Sequence, residues 1–178
     1  MFSAYVAGVY TNRFPKSMLY IGSKNRLKLP IDVYILADRL RDLRTANMAI
    51  DYIIATSDCE NIVPNVIMAA DIYDKTPEGS PLRKLVVDYL VHEAPPDLDL
   101  KTPHVFLLDV FREARRIHAS SSEAGNTKEL GQYAIDRPPC YYHQHDETHP
   151  KSECEKTEDS GCESDGSDES DRGIEASE

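Results

Sequence analysis

Cys140, His143 and His145, in the stretch Cys140-Tyr-Tyr-His143-Gln-His145, are followed by His149 and Cys154, and three of the chain's six histidines fall within seven residues there. Thiolate sulfur and imidazole nitrogen are the ligand types of structural zinc, so Cys140, His143, His145 and Cys154 form one candidate four-ligand set. The spacing is not that of a common zinc finger. Two histidines one residue apart reach a single ion only from an extended backbone. The same stretch follows Pro138-Pro139 and also reads as a polar segment in which histidine is merely a soluble residue. Both readings stay open, and zinc is the one cofactor these residues suggest.

Other groups offer less chemistry. His92-Glu93 closes a helical pattern, where a histidine near the last carbonyls acts as a terminator rather than an acid–base group. Cys59 stands alone in the helical region and is expected to pack or to sit in a loop. No Ser-His-Asp order, phosphate-binding glycine loop or carboxylate pair in an apolar setting stands out, so no catalytic residue is assigned and the protein is not expected to be an enzyme.

The chain must build the elements that carry these residues from 178 positions, enough for one domain of roughly 100–150 residues and a tail. Its charge is unevenly placed. From Asp146 to Glu178 there are thirteen acids and three bases, which is nearly all of the net −11. The remainder is close to neutral and has no basic stripe, which argues against a nucleic-acid groove. Arg112, Arg115 and Arg116 form the one dense basic cluster and at helical spacing read as a solvated face. No apolar run approaches the roughly 20 residues of a membrane span and no leader pattern opens the chain, so an intracellular protein of cytoplasm or nucleus is expected.

Apolar residues recur at helical spacing almost throughout. Phe2, Tyr5, Val6, Val9 and Tyr10 mark a first helix, Val33, Leu36, Ala37 and Leu40 a second, and Leu43, Ala46, Ile50 and Ile53 a third that forms a hairpin with the second. Val66, Ala70 and Tyr73 mark a fourth, Leu82, Leu85, Val86, Tyr89 and Leu90 a fifth, and Leu107, Val110, Phe111, Ala114 and Ile117 a sixth. Met18–Ile21 is apolar enough for one short strand.

Prolines punctuate the helix starts. Pro30, Pro81 and Pro103 suit the first helical position, where a missing N–H costs nothing, with Ser80 and Thr102 as caps before two of them. Pro64 fits the first turn of the fourth helix with Asn61 as its cap. The fold class is therefore all-α, about six helices. From Lys151 onward the chain is Ser, Gly, Asp and Glu with almost nothing to bury, and is expected to be disordered. There Ser152 and Ser160 each have glutamate three residues on, a context suited to acid-directed kinases.

The sequence Phe2-(x)2-Tyr5-Val6-(x)2-Val9-Tyr10-Thr11, then Val33–Leu40 and Asn47-(x)2-Ile50-Asp51, resembles the second half of a BTB (POZ) domain. Ile72-Tyr73-(x)2-Thr76-Pro77 and Ser80-Pro81-Leu82-Arg83-Lys84-Leu85 are similar to the short BTB proteins of filamentous fungi, and the match runs to about Tyr142. The resemblance implies residues 1–58 as the C-terminal half of a BTB-like domain, 59–119 as a helical extension, 120–150 as a linker carrying the Cys/His segment, and 151–178 as the acidic tail.

It also implies a noncatalytic protein–protein interaction role. The partner would be a second BTB chain, including a homo-oligomer, or a cullin-type ubiquitin-ligase scaffold. The strands and helices that open such a domain have no counterpart before Phe2. The chain is then a shortened product or one that has lost its sheet, and the faces led by Phe2 and Val33 are expected to expose apolar surface for self-association or a partner. Gly8 stands where many members have tryptophan. Two alternatives remain: a small zinc-binding module centred on Cys140–Cys154, and a truncated product without function.

Overall fold

The computed structural model describes residues 2–11, 13–14, 26–92, 102–123, 139–148 and 150–151. The described residues are all-helical: α1 (Phe2–Thr11), α2 (Lys28–Leu40), α3 (Leu43–Glu60), α4 (Val66–Lys75), α5 (Pro81–His92), α6 (His104–Glu123) and a 3₁₀ turn (Pro139–Tyr142). The expected strand at Met18–Ile21 and the acidic tail with its serines lie outside them.

The α2–α3 hairpin is made by its two-residue link. Arg41 takes a left-handed conformation (φ 57°), and the N–H groups of Arg41 and Asp42 return to the carbonyls of Asp38 (3.1 Å) and Ala37 (2.9 Å). That closes α2 as a Schellman-type cap. Asp42 then caps α3 by accepting from the Thr45 N–H at 3.1 Å, and its other oxygen accepts from the Tyr5 phenol at 3.0 Å. One residue thus ends one helix with its backbone N–H, and with its carboxylate starts the next and tethers α1.

Proline placement marks the helix starts within two residues. Pro81 opens α5, and the carbonyl of Ser80 accepts the Lys84 N–H at 3.2 Å, as the spacing predicts. Pro30 lies two residues inside α2, and Pro103 lies just before α6, where its carbonyl accepts the Leu107 N–H at 3.1 Å. All three sit where an amide N–H would have no helical partner, which is why proline tolerates each. Asn61 does not cap α4. It closes α3 in the left-handed conformation (φ 51°), and Asn65 caps α4 by accepting from the Met68 N–H at 2.9 Å.

One apolar core runs from α1 to the 3₁₀ turn. Ile31, Val33 and Tyr34 of α2, Ile50 and Ile53 of α3, Ile72 of α4, Leu82, Leu85 and Val86 of α5, Phe106 and Tyr142 all belong to it. The Val33 face is therefore not exposed as expected: Val33 is 0% exposed, because α2 is packed by α1, α3 and α4. Tyr34 shares a 3.0 Å hydrogen bond with Ser80 at the start of α5, and burial pushes its pKa up to about 12.

The α6 stripe is turned from the expected direction, and the Phe2 face of α1 is exposed as expected. On α6 the residue driven into the core is Phe106, whereas Phe111 and Ala114 face outward with Arg112, Arg115 and Arg116. On α1 the buried residues are Ala4 and Gly8, and Phe2, Val9 and Tyr10 are exposed. Small residues four apart let this helix approach α3. A β-carbon at Gly8 would lie 2.8 Å from Met48 Cε.

That geometry sets an expected outcome. Met48 Cε is the free end of a flexible side chain, so Gly8→Ala should gain up to about 1 kcal/mol of helix propensity. Gly8→Leu should instead lose about 1–3 kcal/mol by overpacking against Met48, Thr45 and Phe14. Urea denaturation of the two variants checks the pair. A lower midpoint for Gly8→Ala would mean that Met48 does not yield.

Candidate metal centre

The Cys/His segment is docked on the helices. Pro139–Tyr142 forms the 3₁₀ turn, and the His143 N–H returns to the Cys140 carbonyl at 3.3 Å. Side chains three apart eclipse in such a turn, which places Cys140 and His143 on one side. Tyr142 points inward, 2% exposed, and its phenol donates to Asp88 Oδ2 of α5 at 2.6 Å. Tyr141 stands edge-on to Tyr142, with the Lys84 ammonium of α5 3.4 Å from its ring centroid.

Beyond the turn, α3 takes over. Asn47 donates from Nδ2 to the Gln144 carbonyl (2.8 Å) and accepts from the Gln144 N–H at Oδ1 (3.0 Å). A side-chain amide pairs with both groups of one residue when they point the same way, as in a strand. Residues 143 and 145 then share a face. The rings of His143 and His145 are 6.2 Å apart between centroids. The extended backbone that a His-x-His pair requires is thus imposed by one asparagine.

One turn along α3 from Asn47, Asp51 Oδ1 lies 2.7 Å from His143 Nε2, and the His143 side chain is 5% exposed. The ligand atoms of Cys140, His143 and His145 all lie within 4.8 Å of one another. Cys140 is a free thiol. Around a tetrahedral zinc with bonds of about 2.0–2.3 Å, ligand atoms stand roughly 3.3–3.8 Å apart, so the three sites need to close by about 1 Å.

Three of the four expected ligands therefore come together. Cys154, and His149 beside it, lie outside the described residues. Asp51 and Asn47, which orient the segment, carried no role in the sequence. The signal was their four-residue spacing, which puts two short polar side chains on one face of α3.

The remaining candidates are placed as follows. His92 is the last residue of α5, the terminator position expected of it. Cys59 is neither packed nor in a loop: it sits on the exposed final turn of α3 and is disulfide-bonded. Arg112 and Arg116 are exposed and pair with Asp109 at 3.1 Å and with Glu113 of their own helix. Among the described residues no helix is long and apolar enough to cross a membrane.

No protein-family model matches the chain, and neither a curated protein nor a solved structure matches it significantly.

Proposed function

We propose that this protein is a noncatalytic protein–protein interaction module of the kind its resemblance to BTB proteins implies, and that α1 is the face that takes a second copy of the chain. The observation behind this is the outward stripe of α1. Phe2 is 68% exposed and Tyr10 84% exposed, with Val9 on the same side of the helix. Residues seven apart lie almost one above the other along a helix, so Phe2 and Val9 line up, and Tyr10 stands about 80° round the helix from Phe2 on the same exposed side. Burying them in water-excluding contact is worth about 25 cal/mol per Å² of apolar surface, and the same strip on a second copy supplies a matching surface.

The test is solution mass as a function of concentration, by size exclusion with light scattering. The wild-type chain is expected to self-associate and to bind a hydrophobic dye, and Phe2→Ser with Tyr10→Ser is expected to shift it to monomer without loss of helix. A wild-type chain that stays monomeric and leaves the dye dark removes the proposal.

A second reading, a zinc-binding module, is favoured by the convergence of Cys140, His143 and His145. The two are compatible, because the cluster lies on α3 and the 3₁₀ turn and uses none of the exposed α1 residues.

A further inference from the structure

We infer that Cys140, His143 and His145 bind one zinc ion, and that the ion acts as a structural clasp holding the 139–148 segment across α3 and α5. The case begins with what brings the donors together. Four contacts that involve no metal already dock this segment: Tyr142 on Asp88, Lys84 over Tyr141, Gln144 on Asn47, and His143 on Asp51. The ligand atoms are consequently close before any ion arrives, and binding requires only a small contraction.

The second argument is the orientation of His143. Its Nε2 lies 2.7 Å from Asp51 Oδ1, so a carboxylate stands beside one of the candidate ligand rings. A carboxylate behind a ligating histidine fixes the tautomer and makes the ring a better donor. The charges also close: one thiolate and two neutral imidazoles leave a divalent zinc with a single positive charge, and Asp51 lies against it with one negative charge.

The donor set selects the metal. Sulfur and nitrogen disfavour calcium and magnesium, which take oxygen ligands, and suit zinc. Cys140 and His145 are each half-buried, so the ion has an entry path from solvent. Three protein ligands leave one coordination position, which water can fill.

The function follows from where the segment lies. It bridges α3 at Asn47 and Asp51 to α5 at Lys84 and Asp88, two helices of the one apolar core. An ion fixed to three residues of the segment stiffens it, and its hold on α3 runs through His143 to Asp51, so binding energy adds to the stability of that docking.

The test uses the full chain purified without a histidine tag, stripped by chelator under reducing conditions and titrated with zinc alone, with cobalt as a spectroscopic probe. One equivalent of zinc per chain is expected. Cobalt should show tetrahedral visible bands and a thiolate charge-transfer band that Cys140→Ser removes. Asp51 is 55% exposed on its side chain, so Asp51→Ala should fold normally. It is nevertheless expected to weaken zinc binding about 10- to 100-fold, because the His143 support is gone. His143→Ala and His145→Ala should weaken it further, and zinc should slow amide exchange within 139–148 in the wild-type chain. Substoichiometric zinc, binding unchanged by both Cys140→Ser and Asp51→Ala, or exchange in 139–148 indifferent to zinc overturns the inference.

Discussion

Tyr142→Ala should destabilise the protein by about 3–5 kcal/mol, the range for removing a large buried aromatic. Tyr142 is among the largest fully enclosed side chains and is the residue by which the C-terminal segment enters the core. Its ring fills space beside α5, and its phenol is a donor to Asp88, which is itself buried at 1% exposure. Alanine would leave a cavity and take a donor from an enclosed carboxylate. Tyr142→Phe separates the two effects. It keeps the ring and removes the hydrogen bond, so a loss of about 1.5–3 kcal/mol is expected, the range for a bond to a charged group. Denaturant titration of both variants gives the measurement: midpoints should fall in the order wild type, Phe, Ala, with little change in slope. A loss under about 1 kcal/mol for Tyr142→Ala would mean that the segment is a surface strap and not part of the core.

The helices most legible in the sequence are those whose burial depends on large apolar residues. In α3 and α5 the expected positions Ile50, Ile53, Leu82, Leu85 and Val86 are all fully enclosed. On α1 the Phe2 face is exposed as expected, but the inner face leaves little trace in the sequence. Hydropathy periodicity weights Phe2, Val9 and Tyr10, but the packing is decided by closeness of approach, and Ala4 and Gly8 carry little hydropathy signal. The α6 stripe failed by a small rotation. The helical pattern that begins at Leu107 places Phe111 inside, whereas the enclosed ring is Phe106, one residue before that pattern.

Asn61 shows how one residue type serves two ends of a helix. Asparagine caps an N-terminus with its side chain and tolerates the left-handed backbone at a C-terminus. Only the course of the chain through Ile62–Pro64 decides between them. The metal candidate divides in the same way. Ligand type was readable at Cys140, His143 and His145, but their convergence was not, since it rests on Asn47, 97 residues from Gln144, and Asp51, 92 residues from His143. Such pairings are set by the tertiary fold and leave no local trace.

Phe106→Ala should undock α6 while leaving the α2–α3 hairpin folded. The helix is 20 residues long, yet Phe106 is its one fully enclosed side chain among the described residues. Leu107, Val110 and Ile117 are half-buried, and Val105, Leu108 and Phe111 face solvent. The Phe106 ring meets Tyr73 of α4 edge-on, with centroids 5.2 Å apart, and the Tyr73 phenol donates to Asp109 Oδ2 at 2.9 Å, one turn further along α6. Burial first, and the Asp109 carboxylate second, push the Tyr73 pKa upward, so the phenol remains a neutral donor through the ordinary pH range.

Tyr73 is fixed from behind as well. The Arg83 guanidinium lies 4.4 Å from its ring centroid and donates to the Tyr73 carbonyl at 2.7 Å. The anchor of α6 on α4 is thus one aromatic pair and one hydrogen bond, beside the packing of α6 on α5, and Phe106 is its one fully enclosed ring among the described residues. A cost of about 3–5 kcal/mol falls on a helix with little other burial. Local opening should therefore precede global unfolding. Amide exchange resolved by segment reads the result: protection in 104–117 should collapse while protection in α3 persists. The contrasting variant, Phe111→Ser, removes an equally large ring that is 61% exposed and should change stability by no more than about 0.5 kcal/mol. Equal loss of protection in α3 and α6 for Phe106→Ala would instead make α6 an integral part of one cooperative unit, coupled to the hairpin through its packing on α4 and α5.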